Sequence, residues 1–386
     1  MKKLKNHSFF ILLTLLLVAC RKDQMAPAKA GGGAPNGGIA PTGVFVLNKG
    51  ILNSSAPVNG TGSIIYTYTR GSLSYYNIAS KMLVVDQYSL ANGTPTQIGG
   101  WSDIKVYGSK MYILGFTGIT VVDAKTSKLI QQINLKGGGI AFYNENIFVS
   151  GFKQITVLDT ITFSVTKTIS LGGDNYNNFA GGGLAVVDNK LYIANTSIYD
   201  VTVSTIDLTT LTVSEPVIEV IPQTTTMTTD ANGNIYTLSP FDESAGNQYS
   251  ADGGLSVLNT KSNLPIFTTQ DYSPFNNLAL TGAGNFVYFF NNSNNLLAFN
   301  ATTHAITNFV TDGTSFMHPT CIAASAATGE VFVGDTKNSA TTGVVYGYNQ
   351  NVAAINGIVY AFDKTGKLEY TIPAGINPSQ ILLVQN

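Results

Sequence analysis

One short phrase recurs along the chain and constrains its fold more than any other feature. In the clearest copy, 118–123, alternating apolar residues end in Asp123, a polar turn follows, and a second strand-like stretch begins at Leu129. At intervals of 36 to 63 residues, further copies end in Asn77, Asp159, Asp207, Asn259, Asn300 and Asp363. Repeats of about 40–50 residues that each hold four short strands are typical of a β-propeller. The sequence therefore predicts an all-β, seven-bladed β-propeller.

Each repeat reads as four strands, A to D, in which the phrase is strand C. The predicted A strands are 104–107, 140–143, 184–187, 226–229, 278–281 and 321–324. The first repeat lacks an A strand before its B strand, 44–47, whereas 377–384 has the A-strand pattern with no B strand after it. We therefore predict that this C-terminal strand pairs beside 44–47 and closes the ring, which removes open sheet edges. The predicted blades are 379–386 with 43–90, then 101–136, 138–172, 181–221, 224–270, 277–310 and 319–373.

The composition suits such a fold and argues against one class of partner. Charged residues make up 11% of the chain and hydrophobic residues 44%, while Thr, Ser, Asn and Gly are abundant. Exposed strand positions would then carry hydroxyls and amides instead of ion pairs. The formal net charge is -1, and the sequence has no basic stripe. Because binding to nucleic acid needs such a stripe, we expect no nucleic-acid partner.

Residues 1–20 have the features of a lipoprotein signal peptide. Three lysines among the first five residues precede an apolar run, 9–18, that is too short for a stable membrane span. The run ends in Leu-Val-Ala-Cys, which resembles a bacterial lipobox and would make Cys20 the acylated first residue of the mature chain. The alternative is an ordinary signal peptide with an incidental cysteine.

The rest of the chain divides into a linker and a folded body. Residues 21–41 are rich in Gly, Ala and Pro, which predicts a flexible tether that cannot bury apolar surface. Residues 42–386 would form the single propeller domain. We expect an outer-membrane lipoprotein, held by the lipid on Cys20, that faces either the cell surface or the periplasm.

The predicted topology sorts the connections onto two faces. The A–B and C–D turns lie on one face, named here the turn face, and the B–C and D–A connections lie on the other, the loop face. Four B–C insertions, 48–71, 195–202, 239–254 and 335–357, fall on the loop face. Insertions that cluster on one face of a repeat protein usually mark its binding face.

Aromatic and polar residues on this face are the candidate ligand-binding residues. Flat rings with polar neighbours suit a ring-shaped or glycan ligand. The alternative is that about half of the aromatic rings pack the insertions against the blades. The candidates are Trp101, Phe116, Phe152, Tyr199, Phe241, Asp242, Tyr249, His318, Asp335, Tyr346 and Tyr348.

The sequence predicts no catalytic residues, no metal site and no cofactor. Lactonase- and lyase-type propellers need convergent Glu and His groups, whereas only His304 and His318 follow the signal segment. His304 falls in a C–D turn and is expected to be solvated. Cys321 lies in an apolar strand, which favours a buried, inert thiol. The stretch 230–234 begins like a calcium loop, but its sixth and twelfth positions are not Gly and Glu, so a hairpin is expected.

The beginning and the end of the predicted body resemble a known group. Residues 43–50 (GVFVLNKG) and 71–77 (GSLSYYN), followed by 331–336 and 357–363, are similar to surface-lipoprotein β-propellers of Bacteroidetes. These belong to the wider YVTN or YncE-like propellers. The BtuG-type branch captures cobalamin for an outer-membrane transporter. The chain departs from the group's pattern at Lys49, where the group usually has Glu.

The leading hypothesis is a non-enzymatic lipoprotein that captures a ligand on the loop face. The ligand would be a small molecule, cobalamin-like by the resemblance, or a glycan, which is passed to an outer-membrane transporter or another surface protein. One alternative is an adhesion or scaffold propeller that binds protein. Another is a lactonase- or lyase-type enzyme, which acids converging on His318 would favour.

Overall fold

The computed structural model confirms the predicted fold, with seven four-stranded antiparallel sheets arranged as the blades of a propeller. It describes residues 40–50, 52–55, 65–68, 71–95, 103–115, 118–171, 183–195, 202–220, 224, 226–239, 254–262, 264–269, 279–337 and 356–385. The proposed signal segment and most of the proposed linker lie outside these residues.

The strands of each blade run from the innermost, A, to the outermost, D. The A strands are β30 (Pro378–Val384), β6 (Asp103–Tyr107), β10 (Ile140–Tyr143), β14 (Leu184–Val187), β18 (Thr226–Thr229), β22 (Leu280–Ala283) and β26 (Pro319–Ala324). The B strands are β1 (Gly43–Asn48), β7 (Lys110–Gly115), β11 (Asn146–Gly151), β15 (Lys190–Ala194), β19 (Ile235–Ser239), β23 (Phe286–Phe290) and β27 (Val331–Asp335). The C strands are β4 (Ser72–Asn77), β8 (Gly118–Asp123), β12 (Gln154–Asp159), β16 (Thr202–Asp207), β20 (Gly254–Asn259), β24 (Leu296–Asn300) and β28 (Asn356–Phe362). The D strands are β5 (Met82–Val84), β9 (Leu129–Ile133), β13 (Val165–Ser170), β17 (Thr212–Glu219), β21 (Leu264–Thr269), β25 (Ile306–Asn308) and β29 (Leu368–Ile376).

Two short elements lie outside the blades. The hairpin of β2 (Leu52–Ser55) and β3 (Ile65–Tyr68) extends the B–C connection of blade 1. Helix α1 (Gln87–Asn92) starts where the side chain of Asp86 accepts a hydrogen bond from the N–H of Ser89. Within the described part of the chain, no helix is long and apolar enough to cross a membrane.

The C-terminal strand closes the ring, as the sequence predicted. Strand β30 pairs antiparallel with β1, with Val44 opposite Leu383 and Leu47 opposite Gln380. The two ends of the body also meet, since the N–H of Thr42 donates to the carbonyl of Val384 at 2.9 Å. On its inner side β30 contacts both β26 and β6, the A strands of blades 7 and 2. Blade 1 is therefore assembled from both ends of the body.

The hydrophobic core lies between blades, not within one central layer. Seven clusters of buried side chains each join two neighbouring blades, including blades 7 and 1 across the closure. Every B strand carries an aromatic residue that is at most 5% exposed and faces the next blade. These residues are Phe45, Tyr112, Phe148, Tyr192, Tyr236, Tyr288 and Phe332. The B strands carry this core, whereas the D strands are mostly exposed.

The recurring phrase ends in Asp or Asn because that side chain folds the C–D turn. In blade 2, Oδ1 of Asp123 accepts hydrogen bonds from the N–H groups of Lys125 (3.1 Å) and Thr126 (2.7 Å). Such turns are a standard use of Asp and Asn side chains. Equivalent bonds are made by Asn77, Asp159, Asp207, Asn259, Asn300 and Asp363. The last residue of each repeated phrase therefore determines the conformation of a C–D turn on the turn face.

Replacing Asp123 by Ala should lower the free energy of unfolding by about 1 kcal/mol, because two N–H groups lose their acceptor. Asp123→Asn is the matched control, because Asn fills the same position in three other copies of the phrase. It should retain most of the stability. Urea unfolding followed by circular dichroism measures both variants. Equal losses in the two would show that the acceptor oxygen is not what matters.

The same turn should make stability depend on pH. Hydrogen bonds from the hydroxyl and N–H of Thr126 lower the pKa of Asp123 from its ordinary value of 3.8. A group with a lowered folded-state pKa stabilises the fold above its ordinary pKa, and this contribution is lost as the pH falls through the folded-state pKa. The stability difference between wild type and Asp123→Asn should therefore shrink below pH 3.8. Urea unfolding of both proteins across that range tests this, and a constant difference would contradict it.

The structure can be compared with the sequence predictions for strand β22, for His304 and for the stretch 230–234. Strand β22 begins at Leu280, two residues later than predicted, because its hairpin uses the two-residue turn Gly284–Asn285. His304 is only partly solvated, since its half-buried ring stacks on Phe299 with centroids 5.8 Å apart. The stretch 230–234 is a hairpin turn as expected, with Asp230 accepting bonds from the N–H groups of Asn232 and Asn234.

Candidate functional site

The pairing registers place the B–C connections on one face of the ring. In blade 2, Gly115 pairs with Gly118 at the end where Asp103 pairs with Leu114, opposite the end that carries the Asp123 turn. The other blades pair in the same antiparallel order. The long connections after β1, β15, β19 and β27 therefore leave the same face, the loop face, and this face is the candidate site.

A buried polar side chain stands at the base of each long connection. The last B-strand position, or the residue just after it, is Asn48, Asn195, Ser239 or Asp335 in these four blades, and each is at most 1% exposed. In the three blades with short connections the equivalent residue is Gly115, Gly151 or Asn291. Buried polar groups require hydrogen-bond partners. We therefore expect these side chains to fix the backbone at the point where each long connection leaves its blade.

The two asparagines connect the strand before the insertion with the strand after it. Nδ2 of Asn48 donates to the hydroxyls of Ser72 and Ser74, both at 3.1 Å. Nδ2 of Asn195 donates to the hydroxyls of Thr202 (3.0 Å) and Ser204 (3.2 Å). Each amide thus holds the two ends of its insertion together at the rim of the blade.

Asp335 has a different role, because it positions the segment before strand β26. Its two carboxylate oxygens accept hydrogen bonds from the N–H groups of His318 (2.6 Å) and Met317 (3.0 Å). Nζ of Lys337 lies 3.8 Å from the same carboxylate and also contacts the hydroxyl of Tyr360. Asp335 is fully buried, so its contribution to a loop-face site is to hold His318 in place.

Two other predicted candidates lie exposed on the loop face. His318 presents an exposed side chain at the inner end of blade 7. Phe152 is 61% exposed in the short B–C turn of blade 3, where Nζ of Lys153 lies 5.7 Å from its ring centroid. The remaining candidates and the proposed lipidation site lie outside the described residues: Cys20, Trp101, Phe116, Tyr199, Phe241, Asp242, Tyr249, Tyr346 and Tyr348.

Lys49, the position at which the chain departs from the pattern of the group that its sequence resembles, is half-buried at the loop-face end of β1. Burial lowers the pKa of its ammonium, and the nearby Cys321 acts in the opposite direction. Cys321 itself is a buried free thiol whose pKa burial raises to about 12, which favours the inert role expected from the sequence. In the described part of the chain, no three His, Cys, Asp or Glu residues are grouped so that they could hold a metal ion.

Asp335→Ala should destabilise the fold by about 2–3 kcal/mol, since the N–H groups of Met317 and His318 would lose the buried, charged acceptor that they share. Asp335→Asn should have a smaller effect because it retains one acceptor oxygen. Chemical denaturation gives the free energies of unfolding. Hydrogen exchange at the amides of Met317 and His318 localises the change, and unchanged protection of these two amides in Asp335→Ala would contradict the assigned role.

The architecture defines the chain as a seven-bladed β-propeller with its long connections on one face. No sequence model of a protein family and no curated protein sequence matches the chain. A Kuenenia stuttgartiensis hydrazine synthase structure is similar at 13% identity and a TM-score of 0.56, over 74% of this chain and 90% of that one. The computationally designed Ika8 protein is similar at 13% identity and a TM-score of 0.52, over 88% and 92%. BamB from Moraxella catarrhalis is similar at 16% identity and a TM-score of 0.46, over 74% of this chain and 82% of that one. At such identities the likeness concerns the fold alone.

Proposed function

We propose that this protein is a cell-envelope lipoprotein that captures a ligand on the loop face of its propeller. The observation that carries the proposal is the coincidence of long connections and buried polar bases in the same four blades, all on one face. A fold that needed only to close its ring would gain nothing from four long connections on one side. The opposite face is built from short, repeated turns.

The ligand class follows from the exposed groups and from the family resemblance. Phe152 offers an apolar ring and His318 a group that can donate or accept a hydrogen bond, a combination that suits flat or ring-bearing ligands. The resemblance to Bacteroidetes surface lipoproteins suggests a cobalamin-like molecule, with a glycan as the other choice. A lipid on Cys20 would hold the body at the outer membrane, beside a transporter that takes up the ligand.

A ligand screen by thermal shift tests this function. The folded body, incubated separately with cobalamins, haem, oligosaccharides and calcium, should show a raised melting temperature with one of them. Binding only to the folded state stabilises by about 2.7 kcal/mol at a ligand concentration 100-fold above Kd. If every compound leaves the melting temperature unchanged, small-molecule capture is excluded for the classes screened.

Variants then place the binding on the loop face. Phe152→Ala, His318→Ala, Phe241→Ala and Tyr346→Ala should weaken the shift without changing the melting temperature of the free protein. Phe286→Ala is the matched control, because Phe286 is also a partly exposed aromatic residue, at 42%, but lies at the turn-face end of its strand. Equal weakening by Phe286→Ala would place the site elsewhere.

A second candidate, a scaffold that binds protein, is favoured by exposed apolar side chains on the loop face. Phe152 is 61% and Met317 44% exposed. Such groups can anchor a protein interface. This function predicts that immobilised protein retains an outer-membrane partner, and that Phe152→Ala with Met317→Ala releases it while small molecules have no effect.

A further inference from the structure

The chain enters the folded body on the turn face. The N–H of Thr42 bonds to the carbonyl of Val384 (2.9 Å), and its own carbonyl accepts from the N–H of Ile78 (3.1 Å), next to the C–D turn of blade 1. Strand β1 then runs from this turn face towards the loop face. Any anchor in the N-terminal segment therefore pulls on the face opposite the candidate ligand site.

An arc of exposed aliphatic side chains, named here the aliphatic arc, lies on the rim of this same face. Each member is the first or second residue of a D strand, where the strand leaves its C–D turn, in the five consecutive blades 1 to 5. The members are Met82 (66% exposed), Leu129 (45%), Val165 (58%), Val213 (36%) and Leu264 (61%). Scattered exposed apolar residues are ordinary, but here one strand position is both aliphatic and exposed in five consecutive blades, at the same rim.

The arc ends at blades 6 and 7, where the equivalent residues Ile306 and Leu368 are half-buried. At blade 7 the chain itself covers the rim. The N–H of Thr311 bonds to the carbonyl of Gly366 at 3.0 Å, and the carboxylate of Asp312 accepts from the N–H of Leu368 at 2.7 Å. The repeated strand pattern therefore does not require the first apolar residue of a D strand to be exposed, because this residue is half-buried in blades 6 and 7.

We propose that the aliphatic arc rests on a lipid bilayer surface, so that the turn face lies against the membrane and the loop face points away from it. This inference rests on the proposed acylation of Cys20. The composition of residues 21–40, the 20 residues after Cys20, predicts a flexible tether with a span of about 25 Å, which would keep the body close to the membrane and bring its face of entry nearest to it.

The residues beside the arc suit such a contact. Lys81 directly precedes Met82, and Lys128 directly precedes Leu129. A lysine can bury its alkyl stem along apolar surface while its ammonium stays among polar groups, here the lipid headgroups. The aliphatic neighbour then reaches the boundary of the acyl chains, as in other proteins that lie on a membrane surface.

Single-cysteine labelling of the full acylated chain in phosphatidylethanolamine–phosphatidylglycerol vesicles tests the orientation. Val165→Cys (58% exposed) and Leu264→Cys (61%) probe the arc, and Phe152→Cys (61%) is the matched control on the loop face. The native Cys321 is buried and should not take the label. With an environment-sensitive fluorophore, the two arc probes should shift to shorter wavelength and be quenched by nitroxide lipids several-fold more than the control.

The outcomes separate the two proposals. Mass spectrometry of the N-terminal peptide without an acyl group would overturn both the lipid anchor and the docking that depends on it. An acylated, vesicle-bound protein whose arc probes emit as in water would overturn the docking alone. Equal quenching of the Phe152→Cys probe would also overturn it, because the body would then have no fixed orientation.

Discussion

Removing residues 377–386 should abolish cooperative folding of the propeller. Without β30, strand β1 loses the partner that faces it over six positions, and the cluster between blades 7 and 1 loses Ile381 and Leu383. The A–B pairing of blade 1 would be replaced by an open edge on β1, which invites pairing between chains. A domain of this kind has only about 5–15 kcal/mol of stability to lose. Size-exclusion chromatography and thermal melting should show aggregated protein without a sharp transition.

A circular permutant is the control for this truncation. Because Thr42 is bonded to Val384, a short turn can join 377–385 directly ahead of Thr42, with the new C-terminus at Ile376. The permutant contains every strand of blade 1, so it should recover a single cooperative transition. Cooperative melting of the truncated chain itself would show that closure by β30 is dispensable.

Phe332→Ala should lower the free energy of unfolding by about 3–5 kcal/mol, the range for a large side chain deleted from a packed core. Phe332 is fully buried in the cluster between blades 7 and 1, which also contains Val44, Val46 and Ile381. The cavity would lie at the closure, where neighbouring side chains come from opposite ends of the chain. Urea unfolding at equilibrium measures the loss.

Phe286→Ala is again the appropriate comparison. Phe286 is also a B-strand phenylalanine but is 42% exposed, so its removal should change the free energy of unfolding by less than about 1 kcal/mol. A similar loss in both variants would mean that burial between blades is not what makes Phe332 important.

The blade count and the closing strand could be predicted from the sequence because both depend on local patterns. The side chain that ends each phrase accepts hydrogen bonds from N–H groups only two to four residues ahead. The turn is therefore determined by residues that are close in sequence. Strand 377–384 could be assigned because its pattern lacked a following B strand. The pattern predicts β22 two residues too early, because 278–281 is also apolar and the hairpin there is shorter than its glycines suggest.

The candidate site was less predictable, because its bases are made by contacts between distant residues. Asp335 was proposed as a ligand-binding residue, yet its carboxylate bonds to N–H groups 17 and 18 residues earlier. The local sequence pattern does not point to Asn48, because its partners lie 24 and 26 residues ahead. One signal could have found it, because a polar residue ends the B strand wherever a long B–C connection follows.

The position of β1 between β30 and β4 has a mechanical consequence. A force applied at Thr42 and resisted at the loop face would act along the axis of β1, which is paired over six residues on each side. The hydrogen bonds of both ladders would then be strained together in shear, instead of opening one after another as in a peeled edge strand. A body pulled by its N-terminal segment, against drag or against a held ligand, would therefore resist at the place where its ring is closed.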